Sequence, residues 1–145
     1  MRASSDPIAR ESTRLTYVAP LNGQITNDFD WWIKHLPGYD EVHRDPAEIF
    51  GTDDRGKQAA IAKKISVINH VSADDPPTYM SFRMAPEDPV PEGDRATGWK
   101  VHHVTFGVTL KEKLDALGVE GHLNYPGADS KYNSEAAFFI DKFDK

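Results

Sequence analysis

One stretch constrains the chain more than any other: Asp74-Asp75-Pro76-Pro77-Thr78-Tyr79-Met80-Ser81-Phe82, continuing through Arg83 to Asp88-Pro89-Val90-Pro91. Two prolines stop whatever precedes them, a short run of β-formers follows, and a loop then carries an acidic residue into a second proline pair. The pattern predicts a buried strand that delivers a carboxylate, Asp88, at its C-terminal end. In open α/β sheets that end of the strands is where ligands and catalytic groups gather.

The remaining elements are read around that strand. Leu15-Thr16-Tyr17-Val18-Ala19, closed by Pro20 and Asn22-Gly23, is expected to be a first strand. Between the two strands the chain leaves the sheet. Phe29, Trp32, Ile33 and Leu36 fall at helical spacing behind an acidic first turn, and Pro37-Gly38 ends that helix. Asp45-Pro46-Ala47-Glu48 is a second helix start, with an N-cap Asp and Pro at the first helical position. Asp54 to Ile65 reads as a third helix or turn, and Pro7 to Ser12 as a short lead-in. A helical insertion over about residues 21–75 has the form of a cap over a sheet edge, whose aromatics would roof a pocket.

Beyond the acid loop, the Pro-, Asp-, Glu- and Gly-rich run from Pro86 to Ala96 is expected to be exposed. An amphipathic helix is expected over Val101 to Leu117, with Gly118 as its stop, then a short strand His122-Leu123-Asn124-Tyr125 and a closing helix from Ser134 to Phe143. Strand, insertion, strand, helix, strand, helix implies parallel strands with right-handed crossovers. The expected class is α/β, with about three parallel strands, flanking helices and a helical cap, all in a single domain of 145 residues.

Composition narrows the partners. With 17 Lys and Arg against 23 Asp and Glu, the net charge of −6 argues against nucleic acid or an anionic membrane surface. No basic cluster of five or more offsets it. Cysteine is absent, which excludes a disulfide framework, a thiolate nucleophile and a Cys-based zinc site. Nothing approaches 18 consecutive apolar residues, and the polar start Met1 to Pro7 has no apolar h-region, so neither a membrane span nor a signal peptide is expected, and the chain reads as soluble.

Element order and acid loop together resemble the α/β-hydrolase superfamily, in the esterase and lipase branch. Leu15 to Phe143 is similar to the sixth, seventh and eighth strands of that fold, with a cap inserted after the sixth. Ala116 to Ala128 resembles the helix end and final strand that lead to the catalytic His. The resemblance implies a carboxylic-ester hydrolase and puts Asp88 in the place of the triad acid, which orients the imidazole and stabilises its charged form. It also implies what is missing: no Gly-x-Ser-x-Gly elbow occurs, and the loop that would present the His reads Asp129-Ser130-Lys131-Tyr132. The expectation is therefore an incomplete hydrolase segment, not competent alone, or a non-catalytic binding or interaction module derived from one. No cofactor is implied.

Other candidates come from the residues themselves. His102 and His103 stand at the start of the expected helix and are placed to line a pocket, although adjacent residues point in different directions and would not share a metal. Trp31 is the aromatic left over for a substrate or partner once Phe29 and Trp32 pack. Asp40, His43 and Glu48 carry metal-ligand chemistry but match no metal-binding spacing, and acidic residues at a helix start are explained by capping and the helix dipole. Finally, the first strand, Leu15 to Ala19, has no predicted partner on its outer edge. Parallel strands tolerate open apolar edges poorly, so self-association through that edge, pairing with an N-terminal half that completes an ester site, or marginal stability is expected.

Overall fold

The computed structural model describes residues 14–144, so the lead-in Pro7 to Ser12 lies outside the described residues. The strand expected after Pro77 is β1, Thr78–Ser81, and it is the most buried element: Tyr79 and Met80 are almost fully enclosed. Beside it lies β2, Gly121–Asn124, parallel and in register Thr78 with Gly121 through Ser81 with Asn124. The segment expected to be the first strand runs parallel to β1 on its other side, joined through two isolated bridges, Val18 with Thr78 and Leu21 with Ser81.

Two regular strands therefore replace the expected set of about three. The physical reason lies in the segment itself. Pro20 has no N–H to give, and Asn22 adopts a left-handed backbone at φ 48°, so the extended path cannot be sustained past Leu21. Its ladder nevertheless alternates as a strand does. The Val18 N–H donates to the Pro77 carbonyl and the Val18 carbonyl accepts from Tyr79, and Pro20 and Asn22 likewise bond to Ser81.

Between this segment and β1 come three helices: α1 (Phe29–His35), α2 (Pro46–Phe50) and α3 (Arg55–Ile65). Each begins where an Asp side chain accepts from backbone N–H groups of the first turn, namely Asp28, Asp45 and Asp54. A short 3₁₀ turn, Val67–Asn69, leads back to β1.

The single helix expected over Val101 to Leu117 is two helices. Arg95–Val101 forms α4 and Thr105–Ala116 forms α5, with the chain turning at His102-His103-Val104. The break follows from side chains that bond locally instead of continuing the helix: His103 Nδ1 accepts from the Thr105 N–H at 3.2 Å. The expected exposed loop correspondingly ends at Asp94. The closing helix is α6, Glu135–Phe143, with the Ser134 hydroxyl as its N-cap.

Helices cover both faces of the sheet, giving two cores. On one face, Met80 and Phe82 meet α5 through Phe106, Leu110 and Leu114, and this core continues into Trp32, Leu36 and Tyr39 of the inserted helices. On the other, Tyr79 packs against Phe138 of α6 and Tyr132, with Tyr17 and Ala19 at its margin. The approach of α5 to the sheet depends on Gly107. A Cβ there would lie 2.3 Å from Phe82 Cε2 and 2.7 Å from Leu123 Cδ1.

Candidate functional site

The C-terminal ends of the three parallel segments point to the same side, and a cavity of about 850 Å³ opens there. Leu21 and Asn22 supply one wall from the end of the first segment. Arg83, Met84, Asp88 and Pro89 supply another from the loop after β1. Arg95, Trp99 and His102 complete it from α4. Asp88 and His102, expected from sequence as site residues, thus face one cavity.

The local reason for each position is visible in the bonding. The Asp88 carboxylate accepts from the Ala85 N–H at 2.8 Å, while the Asp88 N–H returns to the Ala85 carbonyl. This closed turn holds the acid loop at the mouth of the cavity, and it also engages the carboxylate with its own backbone. The His102 ring is tied to the opposite wall, its Nδ1 lying 3.0 Å from the Asn22 carbonyl. A carbonyl only accepts, so Nδ1 carries the proton, and in the neutral ring Nε2 keeps its lone pair.

His103 is separate from this cavity. Its side chain is almost fully buried, with the ring 4.5 Å from Trp99. Since Nδ1 accepts from Thr105, the neutral ring carries its proton on Nε2, which is buried without a hydrogen-bond partner among the described residues. Burial pushes the imidazole below its ordinary range, and the negative charge of Asp88 opposes that shift. His103 is a neutral core group that feels Asp88 from within the protein.

Trp31 lies away from the cavity as well. Its ring stacks on His35 at 4.5 Å and on Phe106 at 5.6 Å, so its faces are used in packing the inserted helices against α5. His43, weighed as a metal ligand, stacks on Trp32 at 5.8 Å and meets the Tyr39 hydroxyl at 2.8 Å. Among the described residues no three His, Asp or Glu side chains come together as a metal site.

Three wall residues were missed in the sequence: Arg83, Arg95 and Trp99. Arg83 and Arg95 make no ion pair among the described residues. The available signal for Arg83 was its place two residues past the C-terminal end of β1. Arg95 and Trp99 had none, because α4 was expected to be loop.

A second cavity, about 440 Å³ and mostly apolar, lies beside the first segment on the α5 face. Leu15, Val18 and Pro20 form one side, and Val67, Val71, Met80 and Leu110 the other. Among the described residues its charged lining is Arg14 and Asp75, and its place is beside the first segment of the sheet.

No helix among the described residues is long and apolar enough to cross a membrane. Comparison with models of known protein families, with curated proteins and with solved structures finds no match to the chain.

Proposed function

We propose that the chain is a segment of α/β-hydrolase type, related to carboxylic-ester hydrolases, which supplies the acid-bearing wall of an ester-binding cavity and is not competent for hydrolysis by itself. The observation that carries this reading is the placement of Asp88. It sits on the loop leaving the C-terminal end of the central parallel strand, in a cavity shared with a His whose Nε2 lone pair is available. Acyl transfer also requires a nucleophile next to a base, and among the described residues no Ser lines this cavity.

A second reading, a binding module without catalysis, is favoured by the hydrogen bond from Ala85 to the Asp88 carboxylate. An acid already engaged by its own loop is explained as structure as fully as by orienting an imidazole.

Two measurements test these readings. Hydrolysis of a short-chain p-nitrophenyl ester by the chain is expected not to exceed the buffer rate. Turnover that falls by about 10⁴ in Asp88→Asn, the loss known for a triad acid, would overturn the statement that the chain is incompetent alone. Titration with a non-hydrolysable short-chain ester analogue, followed by NMR, is expected to move the His102 ring resonances. No movement at saturating analogue would remove the ester-binding reading and leave the binding module without its assumed ligand.

A further inference from the structure

Two arginines face the cavity at the C-terminal ends of the strands, and each comes from a different element. Arg83 reaches it from the loop after β1 and Arg95 from the first residue of α4. Both are exposed, and neither guanidinium makes an ion pair among the described residues. Acids are close at hand in the chain: Glu87, Glu92 and Asp94 lie on the connection between the two arginines, yet none of them pairs with either. Asp88, the carboxylate among the described lining residues, already accepts from the Ala85 N–H at 2.8 Å.

Two guanidinium groups against one carboxylate leave the cavity with an excess of one positive charge, in a chain whose net charge is −6. A neutral His102 adds nothing to that excess. Low-dielectric walls around charges of one sign concentrate ions of the other. Here the remaining wall is largely apolar. Leu21, 58% exposed, lines the cavity together with Met84, Pro89 and Pro91, and Trp99 is seated there with its ring 4.5 Å from the buried His103. The volume of about 850 Å³ is that of a small-molecule site.

We propose that this cavity binds a small organic carboxylate, its anionic group held by Arg83 and Arg95 and its apolar body lying against Trp99 and the prolines. A guanidinium offers paired N–H donors that match the two oxygens of a carboxylate. Charge selects the carboxylate over a phosphate. A monoanion cancels the excess, whereas a dianion would bring net negative charge beside Asp88. The inference rests on the ester-binding reading for its location and narrows the ligand: an ester held here carries a carboxylate elsewhere in the molecule.

The test compares benzoate with methyl benzoate, which has the same ring without the charge, and with inorganic phosphate. In the full chain, benzoate is expected to move the NMR resonances of the Trp99 indole and the His102 ring. Methyl benzoate is expected to bind about tenfold more weakly, and phosphate at equal concentration not to displace benzoate. Arg83→Gln and Arg95→Gln are each expected to weaken benzoate about tenfold with an unchanged melting temperature. Lys113→Gln removes the same charge from an exposed position on α5 and is expected to change affinity less than about twofold. Asp88→Asn keeps an oxygen for the Ala85 N–H and is expected to tighten benzoate severalfold. Methyl benzoate binding as well as benzoate would overturn the carboxylate proposal and leave the ester reading standing. Displacement by phosphate, an equal loss in Lys113→Gln, or weakening in Asp88→Asn would also overturn it. Binding of neither aromatic probe would remove both readings.

Discussion

The sheet has two boundaries, and they are built differently. At β2 the boundary carries charge: Glu120, the residue before the strand, accepts from Lys142 through both oxygens at 2.5 and 2.6 Å and contacts His122 at 2.8 Å. At the first segment the boundary carries no charge from Leu15 to Leu21, and its outward backbone groups meet no partner among the described residues. A charged rim makes added strands costly, because a pairing chain would have to desolvate it. The β2 side is finished as an exterior, while the other side has the composition of an interior line. In a parallel sheet whose faces are both helix-covered, the two edges are where such a difference is expressed.

The largest expected effect tests the frame that both boundaries share. Gly107→Ala forces a methyl into Phe82 and Leu123, and is expected to destabilise the chain by about 2–3 kcal/mol by denaturant unfolding, after the helix-propensity gain of up to about 1 kcal/mol is subtracted. Gly98→Ala in α4 is the control. Nothing lies within 4 Å of a Cβ there, so only the gain remains. Equal losses in the two variants would mean that α5 is not held against the sheet by close approach.

Removing the charged rim comes next. Glu120→Ala strands the ammonium of Lys142, whose side chain is 8% exposed, and is expected to cost about 1–2 kcal/mol. A fully buried pair would cost more, but the Glu120 carboxylate still touches solvent. If the rim acts as proposed, this variant also begins to associate through β2, which a cross-linking series would detect.

Acidity gives a smaller, graded test. The hydrogen bond from Lys142, followed by that from His122, holds the Glu120 carboxyl below the ordinary carboxylate range. Its contribution is present above the unfolded value, about pH 4.3, and is lost as the pH falls through the lower folded value. His103 acts earlier. Burial keeps it neutral in the fold, so the unfolded chain takes up a proton below about pH 6.5 when the folded chain does not, and stability declines on acidification. His43 acts in the same direction, through burial and then the charge of Arg44. The melting temperature is expected to slope gently downward from pH 7 to 5 and then fall more steeply, with Glu120→Gln reducing the steeper part, to which Asp74, held low by Ser72 and Arg14, also contributes.

The smallest effect concerns the turn at the end of the open edge. Asn22→Gly keeps the left-handed backbone and is expected to leave stability within about 0.5 kcal/mol, whereas Asn22→Val is expected to cost about 1–2 kcal/mol in equilibrium unfolding.

Much of the frame was legible because short-range chemistry determined it. Asp28, Asp45, Asp54 and Ser134 mark their helix starts by capping, and the paired prolines before Thr78 mark β1. Asp88 and His102 could be singled out from their positions relative to a strand end and a helix. The turn that separates α4 from α5 was not legible. The apolar positions Val101, Val104 and Val108 suit one continuous helix, and only the local bond between Thr105 and His103 shows why the chain turns. The shortness of the first strand was equally hidden, since Leu15 to Ala19 is rich in β-formers and depends on Pro20 and Asn22 beyond it. Arg83, Arg95 and Trp99 meet only through the arrangement of loop and helix, which no spacing encodes.

The hydrogen bond between His102 and the Asn22 carbonyl has a mechanical consequence. Asn22 is the last residue of the open edge, and its own N–H is anchored to Ser81. One residue therefore serves both as the end stop of the sheet boundary and as the tether of a ring in the polar cavity. A substitution that alters the backbone at Asn22 therefore disturbs the end of the first segment and the seat of the His102 ring together.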